Sequence, residues 1–286
     1  MKRILILVAL VLIAGIAGIV RSHSKSSDFD HLVSRNATDQ VREEIRQTYQ
    51  LAPGASVELS NINGAIKIET SDSKTAEVFV ERIGASQEAL GRRKVTIEAD
   101  TNSLRLRGEK TDVGFFERIF GTSPSEKITL KLPRQISLHT KGVNGGVTVG
   151  EIDGSVDLRG VNGRVQIAGT NGSAEFKGVN GNISIGLKQL NGEGLTLGGI
   201  NGNIELQVAD ELNADVDANG INGNVASDLS NVSIDRSKRG KFSGRIGSGG
   251  SLISAHGING NIRFTRGEWA ATSDSPNKAV SAVDKN

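Results

Sequence analysis

One short motif recurs along this chain and limits the folds open to it: an apolar residue, Asn-Gly, any residue, and a second apolar residue. It occurs at Ile62–Ile66, Val143–Val147, Val161–Val165, Val179–Ile183, Ile200–Ile204, Ile221–Val225 and Ile258–Ile262. Internal repeats of this kind are typical of chains that stack copies of one small unit. Because Asn and Gly tolerate positive φ, each Asn-Gly pair predicts a tight corner between two strands.

The repeating unit is eighteen residues long rather than nine. Turns fall every nine residues in the middle of the chain, but only an eighteen-residue shift also aligns the side chains between turns. Under that shift Asp157 falls on Glu175, and Arg159 falls on Lys177. This agreement favours coils of two strands and two turns, because the competing antiparallel meander gives no reason to match residues two strands apart.

The starts of the Gly-apolar-Asn-Gly motif give the number of coils. They lie at Gly142, Gly160, Gly178, Gly199, Gly220 and Gly257, with steps of 18, 18, 21, 21 and 37 residues. The last step is close to two coils, with a degenerate start near Arg239-Gly240. We therefore predict an all-β fold, a single-stranded β-solenoid of about seven coils, each of about 18 residues, at the usual ~4.8 Å strand spacing. A right-handed coil is the default expectation.

The composition requires a core of small aliphatic side chains. Aromatic residues make up only 3% of the chain, so Val, Ile and Leu must fill the interior, which suits short strands. After each corner two apolar residues are predicted to point inward, with an outward residue between them. These pairs are Val147/Val149, Val156/Leu158, Val165/Ile167, Ala174/Phe176 and Ile183/Ile185. Alternating apolar positions also predict strands before the repeat, from Val57/Leu59 to Leu130/Leu132.

Stacked corners predict a ladder of asparagine side chains joined by hydrogen bonds. Its members are Asn144, Asn162, Asn180, Asn201, Asn222 and Asn259. We interpret this ladder as structural.

Stacked strands predict a second ladder, made of charges. Asp157 and Glu175 form an acidic column, and Arg159 and Lys177 form a basic column two residues further on. Stacked carboxylates can bind Ca²⁺ or act on a polysaccharide. The basic column neutralises the acidic one, however, so we interpret the four residues as a charge-compensated surface that could contact a ligand.

The first residues of the chain predict an export segment. Lys2 and Arg3 precede an apolar run from Ile4 to Val20, which measures about 25 Å as a helix against a hydrocarbon core of ~30 Å. Residues 1–21 are therefore predicted to be a signal peptide or a signal anchor, with cleavage left open. The expected location is the periplasm, cell envelope or cell surface, with anchoring in the cytoplasmic membrane if the segment is retained.

The remaining chain divides into four predicted segments. Residues 22–54 are expected to form a linker and a short capping helix, because Thr38 can cap and Val41, Ile45 and Tyr49 share one helical face. The others are an N-terminal β-strand region at 55–141, the Asn-Gly repeat at 142–266 and a disordered tail at 267–286.

Neither a catalytic site nor a cofactor or metal site is predicted. The chain has no Cys, and its four histidines are scattered without the spacing of a zinc hydrolase. It also lacks a G-x-S-x-G elbow and a P-loop. A net charge of +2 without a Lys/Arg run argues against nucleic acid as a partner. We therefore predict that the protein is not an enzyme.

The repeat resembles that of a bacterial family named "putative adhesin", with β-strand repeats, and its relatives with a head GIN domain. The resemblance rests on the Gly-Ile-Asn triplets at 199–201, 220–222 and 257–259, the Val-Asn-Gly triplets at Val143, Val161 and Val179, and the segment ITLKLPRQISLHTKGVNGGVTV. It covers roughly residues 50–266. It implies a β-solenoid in the envelope or at the surface, and it carries over no functional residues.

Three functions remain open at this point. The preferred one is a non-enzymatic adhesin or scaffold that binds a surface ligand, protein or glycan through Thr148, Gln166 and Ser184 on one sheet and the charge ladder on the other. The alternatives are a membrane-anchored stress-response or regulatory component and a carbohydrate-active β-helix acting through Asp157 and Glu175. Exposed strand edges at the end coils also predict self-association.

Overall fold

The computed structural model describes residues 40–110 and 123–267, which consist of β-strands joined by turns and loops, with one short helix. The first nine strands are β1 (Val41–Gln50), β2 (Ala55–Ser60), β3 (Gly64–Ser71), β4 (Thr75–Gly84), β5 (Arg93–Ala99), β6 (Ser103–Lys110), β7 (Ser125–Pro133), β8 (Ile136–Val143) and β9 (Val147–Ile152). The next six are β10 (Val156–Val161), β11 (Val165–Thr170), β12 (Ala174–Lys177), β13 (Ile183–Leu187), β14 (Leu195–Asn201) and β15 (Ile204–Val208). The last six are β16 (Ala214–Asn222), β17 (Val225–Ser227), β18 (Val232–Lys238), β19 (Lys241–Ile246), β20 (Ser251–Asn259) and β21 (Ile262–Arg266). A short helix, α1 (Gln87–Gly91), lies between β4 and β5.

The strands form two open, mixed sheets that share one core. Sheet A has ten strands in the order β1-β4-β7-β3-β9-β11-β13-β15-β21-β17. Sheet B has eleven, in the order β18-β19-β16-β20-β14-β12-β10-β8-β2-β6-β5. The five predicted inward pairs from Val147/Val149 to Ile183/Ile185 are all buried between the sheets. The aliphatic core expected from the composition is therefore confirmed.

From β8 to β15 the chain alternates regularly between the two sheets. Each strand from β8 to β13 pairs in parallel with the strand two places further along, so two consecutive strands make one layer of the stack. Asp157 lies opposite Glu175, and Arg159 lies opposite Lys177. The side-chain agreement at eighteen residues therefore reflects the strand register of neighbouring layers.

The corner between β10 and β11 shows what each residue of the Gly-Val-Asn-Gly motif does. Gly160 has φ +63°, and the equivalent first glycines of the other starts have φ between +60° and +68°. A Cβ on Gly163 would collide with the carbonyl of Gly145 in the neighbouring layer. The first glycine thus supplies the left-handed turn, and the second permits close backbone approach. The expectation that the asparagine contributes positive φ is wrong, because Asn61 is the one non-glycine residue with positive φ in the described chain.

At the N-terminal end the layers are not in chain order. The layer β2/β3 lies between β6/β7 on one side and β8/β9 on the other. Antiparallel strands finish this end, with β5 beside β6 in sheet B and β4 and then β1 beside β7 in sheet A.

The same departure occurs at the C-terminal end. The layer β20/β21, which comes last in the described chain, inserts between β14/β15 and β16/β17. The predicted degenerate coil near Arg239-Gly240 is wrong, because these residues turn between the antiparallel strands β18 and β19, with Gly240 at φ +71°. The step of 37 residues contains this hairpin instead of a second coil.

The predicted capping helix is also wrong within the described residues. Val41–Gln50 forms the edge strand β1, antiparallel to β4. Val41, Ile45 and Tyr49 lie four residues apart, and an even spacing places residues on one face of a strand as well as on one face of a helix. Pairing with β4 decides between the two. The predicted export segment at 1–21 and the predicted tail at 267–286, apart from Gly267, lie outside the described residues.

Candidate functional site

The corner asparagines form a continuous ladder along one side of the stack. Each side-chain Nδ2 donates to the Oδ1 of the asparagine in the preceding layer. The donors and acceptors are Asn144 to Asn63 (2.9 Å), Asn162 to Asn144 (3.0 Å), Asn180 to Asn162 (3.2 Å), Asn201 to Asn180 (3.1 Å), Asn259 to Asn201 (3.0 Å) and Asn222 to Asn259 (2.9 Å). All six asparagines named from the sequence belong to it, with Asn63 added. Its order follows the layers in space, so Asn259 precedes Asn222.

A buried ionic network holds the first member of this asparagine ladder. The Nδ2 of Asn63 donates to the carbonyl of Pro124 at 2.9 Å, and its backbone N–H donates to Glu126 Oε2 at 2.9 Å. Glu126 is 1% exposed and pairs with Arg93, whose Nε lies 2.8 Å from its Oε1. The carboxylate of Glu126 therefore accepts its hydrogen bonds from fixed partners inside the protein, which indicates a structural role.

A second asparagine ladder, not found by the sequence reasoning, runs two residues after the first. Asn203 donates its backbone N–H to Asn182 Oδ1 at 3.0 Å, and Asn261 does the same to Asn203 at 3.0 Å. Asn224 extends it with a bond of 2.9 Å to Asn261. The signal was present as the tripeptide Asn-Gly-Asn in four of the corners. Together the two ladders give the outer edge of sheet A a dense row of amides.

The four predicted contact residues lie together on the outer face of sheet B, where they neutralise one another. Arg159 Nε lies 2.8 Å from Asp157 Oδ1, and its Nη2 reaches Glu175 in the next layer. Lys177 also pairs with Glu175. These bonds lower the pKa of Glu175, mainly through Lys177, and raise that of Arg159, mainly through Asp157.

This charge ladder is short. Asp215 does not continue it, since Asp215 lies beside Leu252 and pairs with Arg245 at 3.1 Å. Asp217 occupies the column of Glu175, but Thr196 and Ser254 separate the two. At its other end the column meets His139, whose Nδ1 lies 3.8 Å from Asp157.

The outer face of sheet A carries an open groove of about 550 Å³. Thr148, Gln166 and Ser184, which the sequence placed on one sheet, lie side by side here, and Glu205 and Arg263 continue the row. Ser184 is the short side chain between the longer Gln166 and Glu205, which explains why the surface is concave there. Backbone and side chains of β11, β13, β15 and β21 line this groove, which we call the sheet A groove.

The two walls of the sheet A groove differ in charge. On the far wall Arg263 pairs with Asp228 at 2.6 Å, and Glu205 accepts a hydrogen bond of 3.2 Å from Thr265. On the near wall the exposed guanidinium of Arg164 has no ion-pair or hydrogen-bond partner among the described residues. Among the described residues that line it, the groove therefore offers one free cation beside side-chain amides and a hydroxyl, and Asn182 and Asn203 of the second ladder also line it.

Neither metal ligands nor membrane spans emerge from the described residues. Within residues 40–110 and 123–267, no three His, Asp or Glu side chains come close enough together to hold a metal ion. No helix in these ranges is long and apolar enough to cross a bilayer.

No family model and no curated protein matches the chain. Solved structures do resemble it. A putative cell adhesion protein from Clostridium sporogenes ATCC 15579 is 11% identical with a TM-score of 0.33, over 78% of this chain and 99% of the other. A putative adhesin from Bacteroides fragilis NCTC 9343 is 14% identical with a TM-score of 0.27, over 77% and 96%.

A third similar structure has a different description. A putative lipid binding protein from Parabacteroides distasonis ATCC 8503 is 12% identical with a TM-score of 0.30, over 78% of this chain and 94% of the other. Two of these three structures thus have names that refer to adhesion. Similarity at this level is too low to transfer a function, so any function must be argued from the surfaces described above.

Proposed function

We propose that the protein is a non-enzymatic binding protein of the cell envelope or surface, and that its layers form a β-solenoid whose sheet A groove holds a segment of a glycan chain. The observation that carries this proposal is the groove itself, with its free Arg164, its amides and its hydroxyl. The planar amides offer both a donor and an acceptor to sugar hydroxyls, and the guanidinium offers paired donors to sugar hydroxyls and to acidic substituents.

A glycan suits this surface better than a protein partner does. Protein interfaces have a desolvated centre enriched in aromatic and other apolar residues. Leu252 is the single large hydrophobic side chain that is exposed in the described chain, at 47%, and it lies on sheet B, away from the groove. Ile183 and Ile204 of the lining are buried, and the lining side chains that reach the surface are all polar or charged, so hydrogen bonds and charge can recognise its ligand.

The charge ladder does not support the alternative of a carbohydrate-active enzyme. A glycosidase needs one carboxylic acid that is protonated near neutral pH. Lys177 lowers the pKa of Glu175, which keeps this carboxylate ionised, and Arg159 bridges Asp157 and Glu175. Asp157 and Glu175 therefore belong to a surface on which Arg159 and Lys177 neutralise their charges.

A matched pair of variants tests the proposal. Ser184→Tyr fills the floor of the sheet A groove, and Thr196→Tyr places the same side chain at an equally half-buried outward position of sheet B. Full-length wild type and both variants are sedimented with insoluble cell-wall polysaccharide and, separately, with phosphatidylglycerol vesicles. We expect Ser184→Tyr to weaken binding to the polysaccharide at least about tenfold, a loss of ~1.4 kcal/mol, and Thr196→Tyr to leave it unchanged.

Three results would reject the proposal. The first is a wild type that binds neither material, and the second is a wild type that binds only vesicles. The third is a Ser184→Tyr protein that is folded by circular dichroism and binds the polysaccharide as wild type does.

A further inference from the structure

The chain contains ten Asn-Gly pairs, all within the described residues. An Asn-Gly pair can react with itself, because glycine has no side chain to hinder its backbone nitrogen. That nitrogen attacks Cγ of the asparagine, the new N–Cγ bond forms, and the Cγ–Nδ2 bond breaks. Ammonia leaves with the proton of the glycine N–H, and water then opens the succinimide to Asp or isoAsp. The reaction requires a free glycine N–H and an asparagine side chain that can rotate.

Inside the ladder of corner asparagines, both requirements are blocked. Asn180 donates its Nδ2 to Asn162 at 3.2 Å, and its Oδ1 accepts from Asn201 at 3.1 Å. The N–H of Gly181 donates to the carbonyl of Asn201 at 3.0 Å. Attack on Asn180 would therefore break three hydrogen bonds to neighbouring layers.

Three other interior pairs are held in the same way. In each, the side chain both donates and accepts within the ladder, and the glycine N–H donates to the asparagine carbonyl of the next layer. They are Asn162-Gly163, Asn201-Gly202 and Asn259-Gly260.

The pair Asn191-Gly192 is different. It lies in the exposed turn between β13 and β14, where the layer is lengthened to 21 residues. The side chain of Asn191 makes one long contact, 3.5 Å from Nδ2 to the carbonyl of Asn171. The N–H of Gly192 has no hydrogen-bond partner in the part of the chain that the structure describes, and no heavy atom lies within 4 Å of the position of a Cβ on this residue.

We propose that Asn191 is a site of spontaneous deamidation in the folded protein, and that stacking of the layers protects the interior asparagines of the ladder from the same reaction. All these pairs have the same two residue types, so the expected difference in deamidation rate comes from the hydrogen bonds that the asparagine side chain and the glycine N–H make. Asn171-Gly172 is an intermediate case, because Asn171 donates to Asp153 Oδ1 at 2.6 Å and the N–H of Gly172 reaches Thr170 Oγ1 only at 3.4 Å.

Peptide mapping by mass spectrometry tests this proposal on the full chain. The protein is incubated at mildly alkaline pH, and deamidation is followed at Asn191 and at the four interior asparagines. We expect Asn191 to convert at least about tenfold faster, the ratio that an opening free energy of ~1.4 kcal/mol gives for sites that react only when locally open. In concentrated urea the five sites should convert at similar rates, because the layers no longer hold them.

A variant identifies the attacking atom. Gly192→Ala adds a methyl group beside the nitrogen, with no atom near the added group but at a φ of +47° that costs an alanine about 1–2 kcal/mol. It should slow conversion of Asn191 without changing the interior sites. Interior asparagines that convert in the folded chain as fast as Asn191 would overturn the proposal. A folded chain in which Asn191 stays intact while the unfolded chain converts would overturn it as well.

Discussion

The middle of the stack and its two ends solve the same packing problem differently. From β8 to β15 every layer is covered on both sides by a layer of the same design, so an eighteen-residue or slightly longer unit suffices. An end layer has no such neighbour and would expose strand edges. Here each end is finished by antiparallel strands, and a distant part of the chain is inserted beside the first or last regular layer.

The comparison shows that repetition stabilises the middle, whereas the ends depend on particular side chains. The N-terminal end carries a buried ion pair between Arg93 and Glu126. The C-terminal end depends on the hairpin β18–β19, whose Phe242 packs into the core with 2% exposure. Variants in the two regions should therefore fail in different ways.

The largest difference is expected for the two buried phenylalanines. Phe176→Ala, in the middle, should lower the free energy of unfolding by about 4 kcal/mol through lost burial and a cavity. Phe242→Ala removes a similar contact, but the hairpin can open without the rest of the stack. Denaturant titration combined with hydrogen exchange should show a global loss for Phe176→Ala and a local loss in residues 232–246 for Phe242→Ala. Equal, global losses for both would mean that the ends and the middle unfold as one unit.

The buried ion pair should have the next largest effect. Glu126→Gln leaves the guanidinium of Arg93, 7% exposed, without its counter-charge and should destabilise the protein by about 3 kcal/mol. Glu175→Gln is the matched control, because Glu175 is a half-buried surface carboxylate with the same kind of partners. Thermal melts of the two variants measure the difference. A loss for Glu126→Gln as small as that of the control would contradict a structural role for the pair.

The corner asparagine ladder should show a graded effect along its length. Asn180→Ala removes one donated and one accepted hydrogen bond and should cost about 1–2 kcal/mol, whereas Asn222→Ala removes a single ladder bond and should cost about 0.5–1 kcal/mol. Urea denaturation of both variants measures the two values. A greater loss at Asn222 than at Asn180 would show that ladder position does not set the contribution.

The smallest effect is expected for the charge ladder, and it should depend on pH. The pKa of Glu175 is lower in the folded protein than in the unfolded chain, so its stabilising contribution is complete above the ordinary pKa of a glutamate and is lost as the pH falls through the folded value. Glu175→Gln should thus cost less than about 1 kcal/mol at pH 7 and nothing once wild-type Glu175 is protonated. Melting temperatures of both proteins across this range test it, and a constant difference down to pH 2 would contradict the assignment.

The sequence predicted the local unit well because that information lies within eighteen residues. Alternation identified the buried strands, and the match of Asp157 with Glu175 gave the register. The sequence predicted a helix in place of β1. The spacing of Val41, Ile45 and Tyr49 fits both the helical and the strand period, and only the pairing with β4 selects the strand. The order of the layers in the stack could not be predicted from the sequence. Ile200 and Ile258 pair across neighbouring layers, but the motifs that contain them would look the same if these layers were far apart.

The candidate site likewise has features that the repeat predicts and features that depend on contacts between layers. The amides of the ladder of corner asparagines and the row of Thr148, Gln166 and Ser184 were readable from the repeat. The sheet A groove was not, because its concave shape depends on Ser184 lying between two longer side chains from neighbouring strands, and its free charge depends on Arg164 lacking a partner across layers.

The insertion of the layer β20/β21 between β14/β15 and β16/β17 can be tested directly by disulfide trapping, because the chain has no Cys. Thr196 lies opposite Ser254, whereas Asp217 lies one strand further away. Neighbouring strands are about 4.8 Å apart, and a disulfide does not form when the Cα atoms are much more than ~7 Å apart. The structure predicts rapid cross-linking in Thr196→Cys/Ser254→Cys and none in Thr196→Cys/Asp217→Cys. The reverse result would mean that the layers stack in chain order.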